Sequence, residues 1–91
     1  MKYIATYDID HGALDDGREF SLHSTTTREI DRINEKEAYD SAMHFARIIS
    51  ISYRPNHETK KTIVNLLSLI DTASKKEVPF NKSKSTVSFP R

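Results

Sequence analysis

The sequence predicts an α+β domain in which a small antiparallel sheet, a hairpin or three strands, packs against one helix. Three observations support this fold class. Residues 2–9 and 18–33 are rich in β-branched and aromatic residues, which favour extended structure. Residues 35–49 repeat apolar side chains at helical spacing behind a capping residue. The chain has 91 residues, which limits it to one domain.

The first two strands follow from alternation and turn signals. One face of the first strand carries Tyr3, Ala5, Tyr7 and Ile9. Residues 10–17, which include Gly12 and the turn signal Asp15-Asp16-Gly17, are expected to form a loop. Residues 18–33 are long for one strand, so we expect a bend or bulge near residues 24–27, or two separate strands.

A helix is predicted from Glu35 to about Ile49. Asn34 stands three residues before Glu37, so its side chain can cap the first turn. Acidic residues in that turn are also favoured by the helix dipole. The apolar stripe of this helix comprises Ala38, Ala42, Phe45, Ala46 and Ile49.

Residues 62–72 fit two structures, and periodicity alone does not separate them. As a helix they form an apolar stripe that comprises Ile63, Leu66, Leu67, Ile70 and Ala73. As a strand they form an apolar run buried on both faces. We favour the strand, because a helix on a small sheet would leave Val64 and Leu69 exposed. The C-terminal element is therefore predicted as a strand, with a helix as the alternative.

Residues 74–91 are predicted to form an extended, flexible basic tail outside the domain of residues 1–73. They hold five of the chain's 14 Lys and Arg residues and one of its 13 acids, a formal charge of +4. Residues 1–73 carry −3. A segment of this composition buries little apolar surface by itself. Its four apolar anchors are Val78, Phe80, Val87 and Phe89.

Composition excludes several classes of protein. The chain has no cysteine, which rules out disulfides and thiolate metal sites and is compatible with the cytoplasmic location we expect. It has no apolar run long enough for a signal peptide or a membrane span. With two glycines it has no phosphate-binding loop, and no nucleophile motif is present. We therefore expect a non-enzymatic protein without a cofactor.

One group of residues has the ligand types of a divalent metal site. It comprises Asp8, Asp10, His11, Asp15 and Asp16. The spacing does not match the calcium-binding loop, because Gly12 occupies a ligand position. We interpret the group as a solvated hairpin loop and predict no metal site. The four histidines are interpreted as surface residues without a catalytic role: His11, His23, His44 and His57.

The leading functional hypothesis is a protein-interaction module. A domain of this size buries only roughly 60% of its unfolded surface, so we expect a homodimer or docking on a larger protein or assembly. The predicted contact residues are Asp8, Asp10, Asp15, Asp16, Glu19, Val78, Phe80, Val87 and Phe89. The acidic ones would imitate phosphates toward a basic groove. A phage or mobile-element accessory protein that inhibits a host system by covering a functional surface fits this type.

The alternative hypothesis is a nucleic-acid-binding module that uses the basic tail. Phosphate contacts would come from Lys75, Lys76, Lys82, Lys84 and Arg91. Phe80 or Phe89 would stack on unpaired bases. The acidic body opposes this alternative, because it repels phosphate over a Debye length of roughly 8 Å.

Overall fold

The computed structural model describes residues 1–15, 18–52 and 59–89. Within these ranges the side chains of residues 13–15, 18–20 and 59–60 lie outside the description. The described residues form a four-stranded antiparallel sheet with one α-helix packed on one face. The predicted α+β class is therefore confirmed, with four strands rather than two or three.

The elements follow one another in the order β1 (Lys2–Asp15), β2 (Arg18–Asp31), α1 (Glu35–Ser52), β3 (Thr59–Asp71), a 3-10 turn (Lys82–Lys84) and β4 (Thr86–Phe89). The spatial order of the strands is β2-β1-β3-β4. β1 pairs antiparallel with both β2 and β3, and β3 pairs antiparallel with β4. β2 and β4 are therefore the two edges of the sheet.

β1 and β2 form a long hairpin without a register shift, from Lys2 opposite Asp31 to Asp15 opposite Arg18. Two predictions are wrong here. Residues 10–15 continue β1 instead of forming a loop, because each of them has a cross-strand partner in β2. Residues 24–27 do not bend, since their threonines suit a continuous pleated strand. The turn signal extends into residues 16 and 17, which lie outside the described residues.

The helix begins where the capping residue predicts. The side-chain oxygen of Asn34 accepts a hydrogen bond from the backbone N–H of Glu37 at 2.9 Å. The predicted start at Glu35 is confirmed, and the helix continues to Ser52 rather than ending near Ile49. The segment that follows, residues 53–58, lies outside the described residues.

Large aromatic side chains of β1 pack against small residues of α1. The buried residues of β1 and α1 include Tyr3, Ala5, Tyr7, Ile9, Ala38, Ala42, Ala46 and Ile49. The alanine stripe lets the helix approach the sheet, and the Tyr7 hydroxyl donates a hydrogen bond to the carbonyl oxygen of Ala42 at 2.7 Å. Burial raises the pKa of Tyr7 to about 12, so this hydroxyl stays a donor at physiological pH.

Residues 62–72 lie largely within a strand, as predicted. Val64, Leu66 and Leu69 are buried beneath the helix. The register against β1 shifts between Leu66, which is opposite Tyr7, and Ser68, which is opposite Thr6. Leu67 is therefore the extra residue of a bulge and is 41% exposed. The bulge puts Leu66 and Leu69 on the same face, a spacing of three that also suits a helix.

The extended basic tail is not confirmed. Residues 74–89 return along β3, and β4 pairs with it from Asn65 opposite Thr86 to Thr62 opposite Phe89. The N–H of Val78 donates to the carbonyl oxygen of Leu69 at 2.7 Å, and its side chain is buried in the core. The segment packs because β3 and α1 leave apolar surface that it covers. Residues 90 and 91 lie outside the described residues.

Within the described residues, no helix combines the length and hydropathy required to cross a bilayer.

Candidate functional site: the open face and outer edge of the sheet

The helix covers one face of the sheet, and the other face carries the even-numbered residues of β1. We call this second surface the open face. On β1 it includes Ile4, Thr6, Asp8 and Asp10, none of which is fully buried. Their neighbours on β2 are Glu29, Thr27, Thr25 and His23. On β3 the neighbours are Ile70, Ser68, Asn65 and Ile63. The open face is thus polar along β2 and partly apolar along β3.

The open face carries a charged cluster formed by Asp8, Asp10 and His23. The Nε2 atom of His23 lies 2.6 Å from Asp8 Oδ1, and its Nδ1 atom lies 2.8 Å from Asp10 Oδ1. Register explains the geometry, because His23 is directly opposite Asp10 and two residues along the strand from the partner of Asp8. One imidazole therefore bridges two carboxylates of the neighbouring strand.

The bridge stabilises the protonated form of the ring. The hydrogen bond from His23 to Asp10, and after it the charge of Asp8, raise the pKa of His23 above its usual value. In the imidazolium form both ring N–H groups donate, one to each carboxylate. The cluster then carries one positive and two negative charges.

The same three side chains are a candidate donor set for a divalent cation, since their ligand atoms lie within 4.8 Å of one another. The observed geometry fits a proton better than a metal ion. Each ring nitrogen of His23 faces a different carboxylate, whereas a metal ion would use one nitrogen and need both carboxylates beside it. We therefore interpret the cluster as a charged hydrogen-bond bridge.

The structure places the residues of the predicted acidic group on different faces of the sheet. Asp8 and Asp10 share the open face, while His11 lies on the helix side, where its Nδ1 atom is 2.9 Å from the Thr62 hydroxyl. The interpretation of His11 as a surface residue is wrong, because it is 8% exposed. Residues 15 and 19 lie in the hairpin strands with undescribed side chains, and residues 16 and 57 are outside the described residues.

The predicted apolar contacts lie against the protein's own body. Val78 is buried in the core, and Phe80 packs on Tyr39 with ring centroids 5.6 Å apart. Val87 and Phe89 are half-buried on β4. A partner could reach Val78 only after this side chain left the core.

The lysines of the nucleic-acid hypothesis do not form an extended arm. Lys75 and Lys76 belong to the turn after β3, and Lys82 and Lys84 bound the 3-10 turn. The ammonium group of Lys82 lies 3.5 Å from a carboxylate oxygen of Glu77. Residue 91 is outside the described residues.

The backbone of β2 offers a second candidate surface. The N–H of Arg32 donates to the carbonyl oxygen of Met1 at 3.0 Å, across the β1–β2 pair. Hydrogen-bonded pairs alternate along an antiparallel ladder, so the even-numbered residues of β2 direct their N–H and C=O groups toward β1. The odd-numbered residues direct theirs away from the sheet: Ser21, His23, Thr25, Thr27 and Glu29. We call this row of backbone groups the outer edge.

No described strand pairs with the outer edge. Sequence reasoning missed it because we expected residues 18–33 to bend or divide. The available signal was the run Ser24-Thr25-Thr26-Thr27, whose β-branched residues favour an uninterrupted strand. His23 was missed as a partner of Asp8 and Asp10 because the three residues meet only through the hairpin register.

Comparison with protein-family models, with curated proteins and with solved structures found no match for the chain.

Proposed function

We propose that the protein is a small non-enzymatic protein-interaction module that binds its partner by adding a strand to the outer edge of β2. The observation that supports this proposal is the length and regularity of that edge. β2 spans 14 residues and pairs with β1 without a register shift. Its outward backbone groups form a ready template for another strand.

Edge strands of globular proteins are commonly protected against such pairing by proline, charged side chains, a bulge or short length. Residues 20–27 of β2 contain no proline, lysine, arginine, aspartate or glutamate, and β2 has no bulge against β1. The opposite edge, β4, is only four residues long. The two edges of the same sheet therefore differ, and β2 is the one suited to pairing.

Backbone hydrogen bonds would supply a general affinity, and side chains would supply selectivity. Each hydrogen bond contributes about 0.5–1.5 kcal/mol net, so several in a row are needed for stable binding. On the helix side the added strand would run past Leu22, which is 56% exposed. On the open face it would run past Thr25, Thr27 and the His23 bridge. A partner strand with alternating apolar and polar residues fits this pattern.

Strand addition changes how the module would cover a functional surface of its partner. We predicted that acidic residues imitate phosphates, but Asp8 and Asp10 share the imidazole of His23, which offsets part of their charge. Strand addition needs no such imitation, because the bound module itself covers the partner's exposed edge or extended segment. An accessory protein that inhibits a host system would cover its target in this way, and we include this inhibitory role in the proposed function.

Replacing Thr25 by proline tests the proposal. The N–H of Thr25 points outward, so Thr25→Pro removes a donor from the outer edge and leaves the hydrogen bonds to β1 intact. We expect Thr25→Pro to keep the fold of the wild type and to lose its partner in affinity purification from the native cell. Thr25→Ala is the matched control, which keeps the N–H and should retain the partner.

Hydrogen exchange identifies the binding mode directly. In the free monomer, the outward amides of His23, Thr25 and Thr27 should exchange quickly, and those of Ser24 and Thr26 should be protected by β1. Adding the partner should slow the first group and leave the second unchanged. Retention of the partner by Thr25→Pro, or unchanged exchange at the three outward amides, would contradict strand addition.

A further inference from the structure

We infer that the strand which pairs with the outer edge is β2 of a second copy of this chain, joined around a two-fold axis at Thr26. The two four-stranded sheets would then form one continuous eight-stranded sheet. This inference rests on the proposed function, because it names the occupant of the same edge. Self-pairing would also bury additional surface, which a 91-residue chain without disulfides needs for stability.

Symmetry restricts the registers that are available. In an antiparallel pair, residues directly opposite each other place their side chains on the same face. The even-numbered residues of β2 face the helix side, and the odd-numbered residues face the open side. A two-fold axis normal to the sheet must therefore pass between one residue and its own copy, and Ser24, Thr25 and Thr26 are the central choices.

The Thr26-centred register gives the best side-chain pairs. It places the exposed Leu22 opposite Ile30 of the other copy, so Leu22 continues the side of the sheet on which Ile30 is buried, 2% exposed. It places His23 opposite Glu29 of the other copy, whose carboxylate lies 3.7 Å from the ammonium group of Lys2. Ser24 then lies opposite Arg28, and the charged residues within this stretch avoid like charges opposite them. An apolar cross-strand pair stabilises an antiparallel ladder by roughly 0.2–1 kcal/mol. The contact of His23 with Glu29 is not counted as an attractive pair, because Asp8 and Asp10 already hold the imidazole.

The neighbouring registers lose these pairs. Centring on Thr25 places Leu22 opposite Arg28 and leaves His23 opposite Thr27. Centring on Ser24 places Leu22 opposite Thr26 and His23 opposite Thr25. In both cases the 56% exposed Leu22 faces a polar residue instead of Ile30.

The alternation of inward and outward backbone groups along β2 is compatible with a centre at Thr26. Its N–H and C=O groups point toward β1, so the central Thr26–Thr26 contact is a non-hydrogen-bonded pair. The flanking contacts of Thr25 with Thr27 and of His23 with Glu29 use outward backbone groups and would form the new hydrogen bonds. Non-hydrogen-bonded pairs bring the two Cα atoms to about 4.5 Å.

Single cysteines measure this register, because the chain has no cysteine of its own. At about 4.5 Å between Cα atoms, Thr26→Cys can close a disulfide with its own copy, since disulfides span roughly 4.4–6.8 Å. In the same register, two copies of Ser24 lie four residues apart, which is about 13 Å along the strand. Ser24→Cys is therefore the matched control, with the more exposed side chain of the two.

Under mild oxidation we expect Thr26→Cys to form a disulfide-linked dimer on the order of a hundredfold faster than Ser24→Cys, because pairing raises the effective thiol concentration to the millimolar range. Random collision would favour the more exposed Ser24→Cys instead. Light scattering should give the mass of two chains for the wild type and of one chain for Thr25→Pro.

Three outcomes overturn self-pairing: faster linkage of Ser24→Cys, equal linkage of both variants, or a wild-type mass of one chain at the highest soluble concentration. These outcomes are distinguishable from failure of the proposed function. If a different protein still protects the outward amides of His23, Thr25 and Thr27, strand addition stands and the occupant is that protein. If no added protein protects those amides and the wild type has the mass of one chain, both proposals fail.

Discussion

At the scale of single residues, His23 has the most specific environment on the open face. It is exposed, yet both ring nitrogens lie within hydrogen-bond distance of carboxylates on the neighbouring strand. The interaction links β1 to β2 near the middle of their ladder, where Asp10 is the direct partner of His23. The bridge therefore joins the two strands of the hairpin that carries the outer edge.

The raised pKa of His23 predicts a pH dependence of stability. Because the pKa of His23 is raised in the folded state, its bridge contributes its full stabilisation at pH values below about 6.5, the usual pKa of histidine in an unfolded chain. This stabilisation is lost as the pH rises through the folded-state pKa. We expect the urea midpoint of the wild type to fall over that range more than the midpoint of His23→Gln does. Chemical denaturation at a series of pH values measures this difference.

His44 provides the control for this prediction. It lies on the exposed side of α1 beside Phe45, away from the β1–β2 ladder. His44→Gln should keep the pH dependence of the wild type. An equal pH dependence in His23→Gln and the wild type would show that the bridge to Asp8 and Asp10 does not contribute.

At the scale of elements, the segment after β3 changes from a predicted tail to part of the fold. Lys75 at the turn has a φ angle of 59°, in the left-handed region, which allows the chain to reverse toward β3. Val78 then enters the core and the Ser85 hydroxyl lies 2.7 Å from the Tyr39 hydroxyl. The sequence pattern gave little sign of this, because isolated apolar residues among lysines and serines lack periodicity.

Truncating Val78 to alanine tests whether this segment contributes to stability. We expect Val78→Ala to lower the free energy of unfolding by about 2 kcal/mol, because it removes buried methyl groups and leaves a cavity. Val87→Ala, at a half-buried position on β4, should cost less. Urea unfolding measures both. A free tail would make the two variants indistinguishable from the wild type.

At the scale of the whole molecule, the sheet separates the outer edge from the basic segment. β2 and β4 are opposite edges, with β1 and β3 between them. The molecule is 48 Å long, which matches 14-residue strands that rise about 3.3 Å per residue. Pairing along β2 therefore leaves residues 74–89 unobstructed at the other side of the sheet.

The alternative nucleic-acid function is tested at this scale. We expect no saturable binding of single-stranded DNA or RNA at ~50 mM salt, because Phe80 packs on Tyr39 and Lys82 lies beside Glu77. Fluorescence anisotropy with a labelled oligonucleotide measures this. Tight binding that weakens steeply with salt, and that disappears when Lys75, Lys76, Lys82 and Lys84 become alanine, would establish the alternative instead.

The sequence by itself determined the local elements. Alternation defined the start of β1 and the Asn34 cap defined the start of α1. The apolar run of residues 62–72 favoured a strand over the alternative helix, and the structure has the strand. These features depend on neighbours a few positions apart, where propensity and capping chemistry dominate.

Only the tertiary structure decided which surfaces are covered. The bulge at Leu67, the meeting of His23 with Asp8 and Asp10, and the packing of Val78 all depend on strand register and on apolar surface exposed by distant elements. A long uninterrupted β2 became an outer edge because β1, its central neighbour, pairs with β3 on the other side. Such contacts join residues far apart in the chain, so patterns over a few neighbouring residues do not predict them.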